Sequence, residues 1–405
     1  MFIKDAVDIT QGLIPKLYLL EVYPSLSNLV KSPKLLVCGD NQYCELGTGD
    51  NTNYSIPVQT ISGGTDWKYV AANWTHATAI KTNGTLWAWG FNNLGQIGAG
   101  GTDTYSIPIQ IASQVGSSSW NNISCGGTHT AAVNDDGSLW VWGYNGHGEL
   151  GDYTNLNRSL PVQTIFGGND WTQVSCGYYY TAAIKNDSSL WLWGFNNSGQ
   201  LGIDVIQNTS GGMQTLRVSS PIQTQASGNN WAQVSCGDSH VGAIKNDGTL
   251  WMWGANDSGQ LGTDSYSAFI PSPVQTIMGG TDWKQVSCYT NHTAAIKNDG
   301  TLWMWGLNFA GQLGDGTIDN KSSPVQTTAA GTNWFRLATG PGYQTVAIKN
   351  DGTLWAWGDD AYGQLGTTTT NISLPIQIFG GGYSWKYAAC GYYATYAIMD
   401  ADPNF

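Results

Sequence analysis

The chain has 405 residues, of which only 11% are charged, against 53 glycines and 20 tryptophans. That composition excludes a disordered chain, which needs low hydrophobicity and high charge. The formal net charge is −12 and no run of Lys or Arg interrupts it, so direct binding to nucleic acid is not expected. No apolar run reaches the ~20 residues that span a bilayer, so membrane insertion is not expected.

Residues 1–33 form an N-terminal extension. Met1 to Asp8 carries Asp5 and Asp8 and lacks the basic-then-apolar order of a secretory signal. Leu13 to Leu29 is apolar, with Pro15 and Pro24 interrupting any long helix. So apolar a segment should not stay free in water. It is expected either to fold back on the rest of the chain or to dock it onto a larger assembly.

Residues 34–398 are a repeat. Trp-x-Trp-Gly ends at Gly90, Gly143, Gly194, Gly254, Gly306 and Gly358, and a degenerate copy, Leu36-Val37-Cys38, ends at Gly39. A Pro-Val/Ile-Gln element recurs seven times, from Pro57 to Pro375, and so does a lone Trp that opens a short apolar run, from Trp67 to Trp385. Seven phased copies of roughly 50 residues point to a closed array rather than to separate domains. Each copy reads as four short strands. Proline's missing N–H suits an outer edge strand. Trp-x-x-Val-Ser-Cys and His-Thr-Ala-Ala-Ile suit strands nearer the axis, and Asp-Gly or Asn-Gly pairs close tight hairpins. The chain enters at the Trp-x-Trp strand (34–39) and leaves after the Ala-Ile strand (396–399). The two ends are therefore expected to share one blade, which removes two exposed edges. The fold class is all-β, a seven-bladed β-propeller of four-stranded antiparallel blades, followed by a short tail (399–405).

The string Cys125-Gly126-x-x-His129-Thr130-x-Ala132, then Asp136-Gly137-x-Leu139-x-x-Trp142-Gly143-x-Asn145-x-x-Gly148-x-Leu150-Gly151, resembles the regulator of chromosome condensation repeat family. The resemblance runs over about residues 34 to 398 and implies a seven-bladed propeller whose loops bind other macromolecules. Members include a nucleotide-exchange factor for a small GTPase that docks on chromatin, ubiquitin-ligase domains, and secreted bacterial proteins that plug β-lactamase. This chain shows neither a basic tail nor a clear exchange wedge. Its one sizeable insertion, 203–219, is polar and lies in the fourth unit.

His76, His129, His240 and His292 occupy one repeat position, replaced elsewhere by Tyr180, Gln344 and Ala394. Equivalent positions on different blades are spread around the axis, so they cannot converge on a metal ion and are expected to hydrogen-bond neighbouring backbone. Cys125, Cys176, Cys236, Cys288 and Cys390 share a position filled by Ala72 and Thr339 in the other copies, which marks a small buried site. A local bridge between Cys38 and Cys44 is the one disulfide the spacing suggests. No triad, paired acids or phosphate-cradling loop is present, so neither a cofactor nor enzymatic activity is expected.

Trp74 alone stands outside the repeated tryptophans. It lies in the loop before His76, where other copies place Tyr178, Tyr179, Tyr392 and Tyr393. Strand direction puts that loop on the same end as the Trp-Gly-x-Asn loops, which offer Phe91, Tyr144 and Phe195 with Asn92, Asn145 and Asn196. Aromatics with low side-chain entropy are common anchors of binding surfaces. These residues are the candidate site, and a protein partner or a surface glycan is the expected ligand. The expectation is a non-catalytic binding scaffold, displayed on a cell surface or virus particle. The alternatives are a soluble regulator such as a guanine-nucleotide exchange factor, or a secreted β-lactamase inhibitor.

Overall fold

In the computed structural model, residues 34–399 are described, except 62–63, 65, 113–118, 204–216, 225–227, 368–369 and 381–383. The N-terminal extension, most of the fourth-unit insertion and residues 400–405 thus lie outside the described residues. The described residues form 28 strands in seven four-stranded sheets. A typical blade runs from the axis outward as β3 (Trp67–Ala72), β4 (His76–Lys81), β5 (Leu86–Gly90) and β6 (Tyr105–Gln110). The Pro-Val/Ile-Gln element is the outermost strand of every blade, where a missing N–H breaks no ladder.

Both chain ends build the first blade. Its order is β2 (Tyr54–Gln59), β1 (Leu35–Gly39), β28 (Ala394–Met399) and β27 (Trp385–Cys390). β1 and β28 pair antiparallel, with Leu35 opposite Ile398, Val37 opposite Tyr396 and Gly39 opposite Ala394. Counting from this blade, β3–β6 is the second and the remaining blades follow in chain order.

Blades adhere through three bonds repeated around the ring. The second Trp of each Trp-x-Trp pair is fully buried and donates its indole N–H to a loop carbonyl of the preceding blade, as Trp142 does to Gln96 at 2.9 Å and Trp253 to Gln200 at 2.9 Å. In the degenerate copy the Cys38 thiol takes the same place, donating to the Gln364 carbonyl at 3.4 Å. Cys38 and Cys44 are both free thiols, so the suggested bridge does not form.

The second bond joins each buried His to a Thr hydroxyl of the next blade: His76 to Thr130, His129 to Thr181, His240 to Thr293 and His292 to Thr345, at 2.8–3.0 Å. The partner is a side chain rather than the expected backbone. The hydroxyl in turn donates to a carbonyl, as Thr130 does to Gln96 at 2.8 Å. Where the next blade lacks that Thr, the His is also lost. Tyr180 faces Val241 and instead reaches the Gly237 and His240 carbonyls at 3.0 and 2.7 Å. At the closing interface Ala394 and Ala77 hold these two positions in one buried cluster, and there Tyr396 donates to the Glu45 carbonyl at 2.8 Å.

The third bond covers the open edge of the inner strands. All seven carry a bulge after the opening Trp. In the third to sixth blades, the side-chain amide that follows the bulge caps the next inner strand. The Val234 N–H donates to Gln173 Oε1 at 3.2 Å, and Gln173 Nε2 donates back to the Val234 carbonyl at 3.0 Å; Gln233 does the same for Val286.

Burial holds the four bridging histidines down, His76 to about 4 and the other three to about 3. They stay neutral in the fold but charge in the unfolded chain below the usual value of about 6.5, so stability is complete above that pH and falls as pH drops towards 3. In His129→Gln, the glutamine should retain an interblade bond as Gln344 does, with Gly391 and Ala394 carbonyls at 3.0 Å. Urea unfolding between pH 6.5 and 4 should show a slope shallower by one proton, about 1.4 kcal/mol per pH unit. An unchanged slope contradicts the assignment.

Glu45 and Glu149 occupy the position held by Gln in the loops after Trp-x-Trp, where a side-chain oxygen accepts an N–H two residues back (Glu149 from His147 at 2.9 Å). Burial pushes both up to about 8. The folded state therefore retains protons that the unfolded chain releases near 4.5, and stability falls as pH rises from there to about 8. Glu45→Gln/Glu149→Gln should remove this loss and raise the melting temperature at pH 9 relative to wild type. No gain at pH 9 contradicts it.

Candidate binding face

The loops that follow the inner strands and those that follow Trp-x-Trp emerge at one end of the propeller. The glycine after Trp-x-Trp permits this turn. Gly90 has φ of 101°, and a Cβ there would meet the Thr75 carbonyl at 2.5 Å. The structure separates the candidate residues into two groups.

Asn92, Asn145 and Asn196 are braces inside their loops, not contact residues. Each is at most 1% exposed. Their side-chain oxygens accept the Ile97, Leu150 and Leu201 N–H groups at 2.9 Å, and the Asn145 amide also donates to Asp152 at 3.0 Å. An Asn two residues after a positive-φ glycine is a loop-closing residue, and the sequence pattern alone does not separate that role from ligand contact.

The aromatics do gather. Trp74 is 39% exposed, and its ring lies 6.1 Å from Tyr178 and 5.9 Å from Tyr392. Asn73 positions it: its side-chain oxygen accepts the Trp74 N–H at 2.7 Å while its amide donates to the Cys125 carbonyl of the next blade at 3.0 Å. Gly127 in the third blade leaves room for the contact between Trp74 and Tyr178, because a Cβ there would meet the Tyr178 ring at 3.1 Å. On one side the rings continue through Tyr179, 4.4 Å from Tyr178, to Tyr144 at 5.8 Å and Phe195 at 6.3 Å. On the other side Tyr392 meets Tyr393 at 5.1 Å and Tyr343 at 5.2 Å, the two hydroxyls of Tyr392 and Tyr343 being 3.1 Å apart. Phe91 stands aside, paired with Tyr43 at 5.1 Å. Apart from Trp74, the candidate rings are half-buried.

Further members of the cluster escape the sequence reading. His147 packs between Tyr179 and Phe195 at 5.0 and 4.9 Å, Phe309 meets Tyr343 at 5.1 Å, and Tyr362 meets Tyr393 at 4.7 Å. Tyr343 was concealed by the one-residue insertion at Pro341-Gly342. The fifth blade contributes no ring to this cluster. It supplies Asp238, whose carbonyl accepts the Tyr178 N–H at 3.4 Å. Burial pushes the Asp238 carboxyl up to about 8. Although ringed by protein, it keeps partial contact with solvent. Tyr178 and Tyr392 are raised, chiefly by burial and further by the nearby Asp238 charge. A carboxyl within electrostatic reach of loops from the first and fourth blades lies near the axis.

The opposite end carries a different arrangement. Lys81, Lys185, Lys245, Lys297 and Lys349, each just before its hairpin, lie over two tryptophans of their own blade, as Lys245 does at 4.9 Å from Trp231 and 4.3 Å from Trp251. No group of three His, Cys, Asp or Glu side chains converges on a possible metal site among the described residues.

The chain is similar to the Arabidopsis thaliana Ultraviolet-B receptor UVR8, 28% identical over 342 residues, covering 83% of this chain and 75% of the receptor. It is similar to the mitochondrial RCC1 domain-containing protein RUG3 of the same plant, 29% identical over 297 residues, covering 71% of this chain and 64% of RUG3. It also matches human E3 ubiquitin-protein ligase HERC2, 27% identical over 372 residues, but spans only 7% of that protein. Among solved structures, Prp20p of Saccharomyces cerevisiae superposes with a TM-score of 0.80 at 17% identity over 92% of each chain. Human WBSCR16 superposes with a TM-score of 0.77 at 17% identity, covering 92% of this chain and all of that one. At that identity these two structures show the shared fold. The RCC1-like domain matches residues 27–344 and the regulator of chromosome condensation (RCC1) repeat matches residues 351–398. The chain belongs to the RCC1-like domain family.

Proposed function

We propose that this protein is a non-catalytic docking scaffold whose aromatic face receives a cationic side chain of a protein partner. One observation carries the reading: rings from six blades surround the axis, and the remaining blade places a carboxyl, Asp238, among them. The electron-rich faces of Trp and Tyr attract a cation by about 0.5–2 kcal/mol per well-placed ring, more when water is displaced. A half-desolvated carboxyl nearby adds charge complementarity. A docking role also accords with relatives described as a receptor (UVR8) and by binding to Gsp1p and histones (Prp20p), an analogy at the level of the fold. Display on a cell surface or virus particle is a separate proposal, supported by the lysine-poor composition and checked by immunogold labelling of intact cells or particles.

A bound cation favours the ionised form of Asp238, so binding releases a proton below pH 8. Affinity should rise with pH towards 8, by up to tenfold per unit. Calorimetric titration with a trimethyl-lysine peptide is expected to show this dependence. Trp74→Ala and Asp238→Asn should each weaken binding at least tenfold, and the latter should flatten the pH profile. Affinity unaffected by both substitutions, or a glycan array that lights up in wild type and fades in Trp74→Ala, overturns the reading.

A further inference from the structure

The chain has 16 Lys and Arg, and excluding Lys4, Lys16 and Lys31 leaves 13 among the described residues. Five are the lysines held over paired tryptophans. Arg158, Lys321 and Arg217, each opening an outermost strand, are held by Asp152, Asp315 and the Gly146 carbonyl, and Lys34 precedes β1. The remaining four, Lys68, Lys284, Arg336 and Lys386, come from inner strands of four consecutive blades, sixth, seventh, first and second. Each occupies the bulge or the residue after it, at the hairpin end of the channel. A strongly acidic chain thus brings Lys68, Lys284 and Arg336 to one mouth, with Lys386 on the strand between the last and the first of them.

Aromatic rings fill the spaces between these cations. Lys284 lies 5.4 Å from the Phe335 ring centre, Arg336 lies 5.5 Å from Phe335 and 5.2 Å from Tyr387, and Tyr387 meets Tyr69 at 5.4 Å. Phe335 is 41% exposed. Two cavities of about 500 and 510 Å3 adjoin here, sharing Tyr69, Phe335 and Arg336 in their walls. Asp351 is the one carboxylate in those walls, and one of its oxygens is taken by the Thr353 N–H and hydroxyl at 3.0 and 2.6 Å.

The same positions have a different task elsewhere in the ring. After the bulge, Asn122, Gln173, Gln233 and Gln285 direct their amides at the backbone of the next blade. Arg336, Tyr387 and Tyr69 replace them over the next three blades. Arg336 retains only a 3.3 Å bond to the Lys386 carbonyl, made at an exposed site. The edge-capping amides give way to cations and rings only along this arc, and the cavity opens beside it.

We propose that the hairpin-end mouth of the channel binds an anion bearing several phosphate groups. Clustered cations supply the attraction, the partly enclosed cavity strengthens it, and the rings offer stacking faces for a base where the anion carries one. The proposal is independent of the aromatic docking face at the other end.

The test is calorimetric titration of the full chain at low salt with tripolyphosphate and with ATP. Both are expected to bind, more weakly as salt rises. Lys68→Glu/Lys284→Glu, which alters a half-buried and an exposed side chain outside the interblade bonds, should weaken both at least tenfold while circular dichroism and melting temperature hold. Arg336→Gln should weaken them in the same direction, and Trp74→Ala should leave them unchanged. Tighter ATP binding that Phe335→Ala abolishes supports the site and assigns a stacked base. Equal affinities support it with the phosphate chain alone as the ligand. No binding of either compound at millimolar concentration, or unchanged affinity in the charge-reversed variant, overturns the proposal.

Discussion

Each blade leaves the inner edge of its innermost strand without a ladder partner. Buried or half-buried backbone groups left unpaired cost about 1–3 kcal/mol each, so this edge demands an answer from every blade. The neighbouring blade provides it. Gln173, Gln233 and Gln285 act as surrogate strands, each accepting an N–H and donating to the carbonyl of the same neighbouring residue. Ser124, Ser175 and Ser235 do part of the same work for the N–H groups of Cys176, Cys236 and Cys288. Because each of these blades is completed by the one before it, an open array would leave a terminal blade incomplete. Closure through the paired chain ends removes that defect.

The same constraint explains where function can reside. Most repeat positions are committed: the second Trp of each pair to a carbonyl of the preceding blade, the His to the next blade's Thr, the Asn to its own loop. Freedom appears where one blade departs from the others. Trp74 reaches Tyr178 because the third blade has Gly127 in between. Asp238 lies where other blades contribute aromatics. Arg336, Tyr387 and Tyr69 interrupt the amide arc. The molecule thus has an aromatic, acidic face at one end and an arc of cations and rings at the other mouth, each built from departures from the repeat.

Much of the architecture was legible because its cause repeats locally. Pro161 in Pro-Val-Gln marks an outer strand by what proline lacks, and the phase of the chain ends announces the shared blade. Cys38 is a degenerate copy of the Trp in sequence, yet its thiol occupies the same bond between the first and seventh blades. Legibility failed where three-dimensional neighbours lie about 50 residues apart. Lys68, Lys284, Arg336 and Lys386 form no run in sequence, and only the ring brings them together. Asn145 illustrates the converse failure. An amide beside an aromatic in a loop looks like a contact residue until its partners, Leu150 and Asp152, show that it braces the loop.

Circular closure is the claim on which both faces depend, since Tyr392 at one mouth and Lys386 at the other belong to the blade built from both ends. Native-state hydrogen exchange with resolution at single amides tests it directly. The account predicts that the amides of Val37 and Tyr396 are protected to the same degree, open in a single event, and match the central strands of an interior blade. Rapid exchange throughout Leu35–Gly39 while Trp231–Cys236 and its blade remain protected would show that the ring is not closed by the chain ends, contradicting the account.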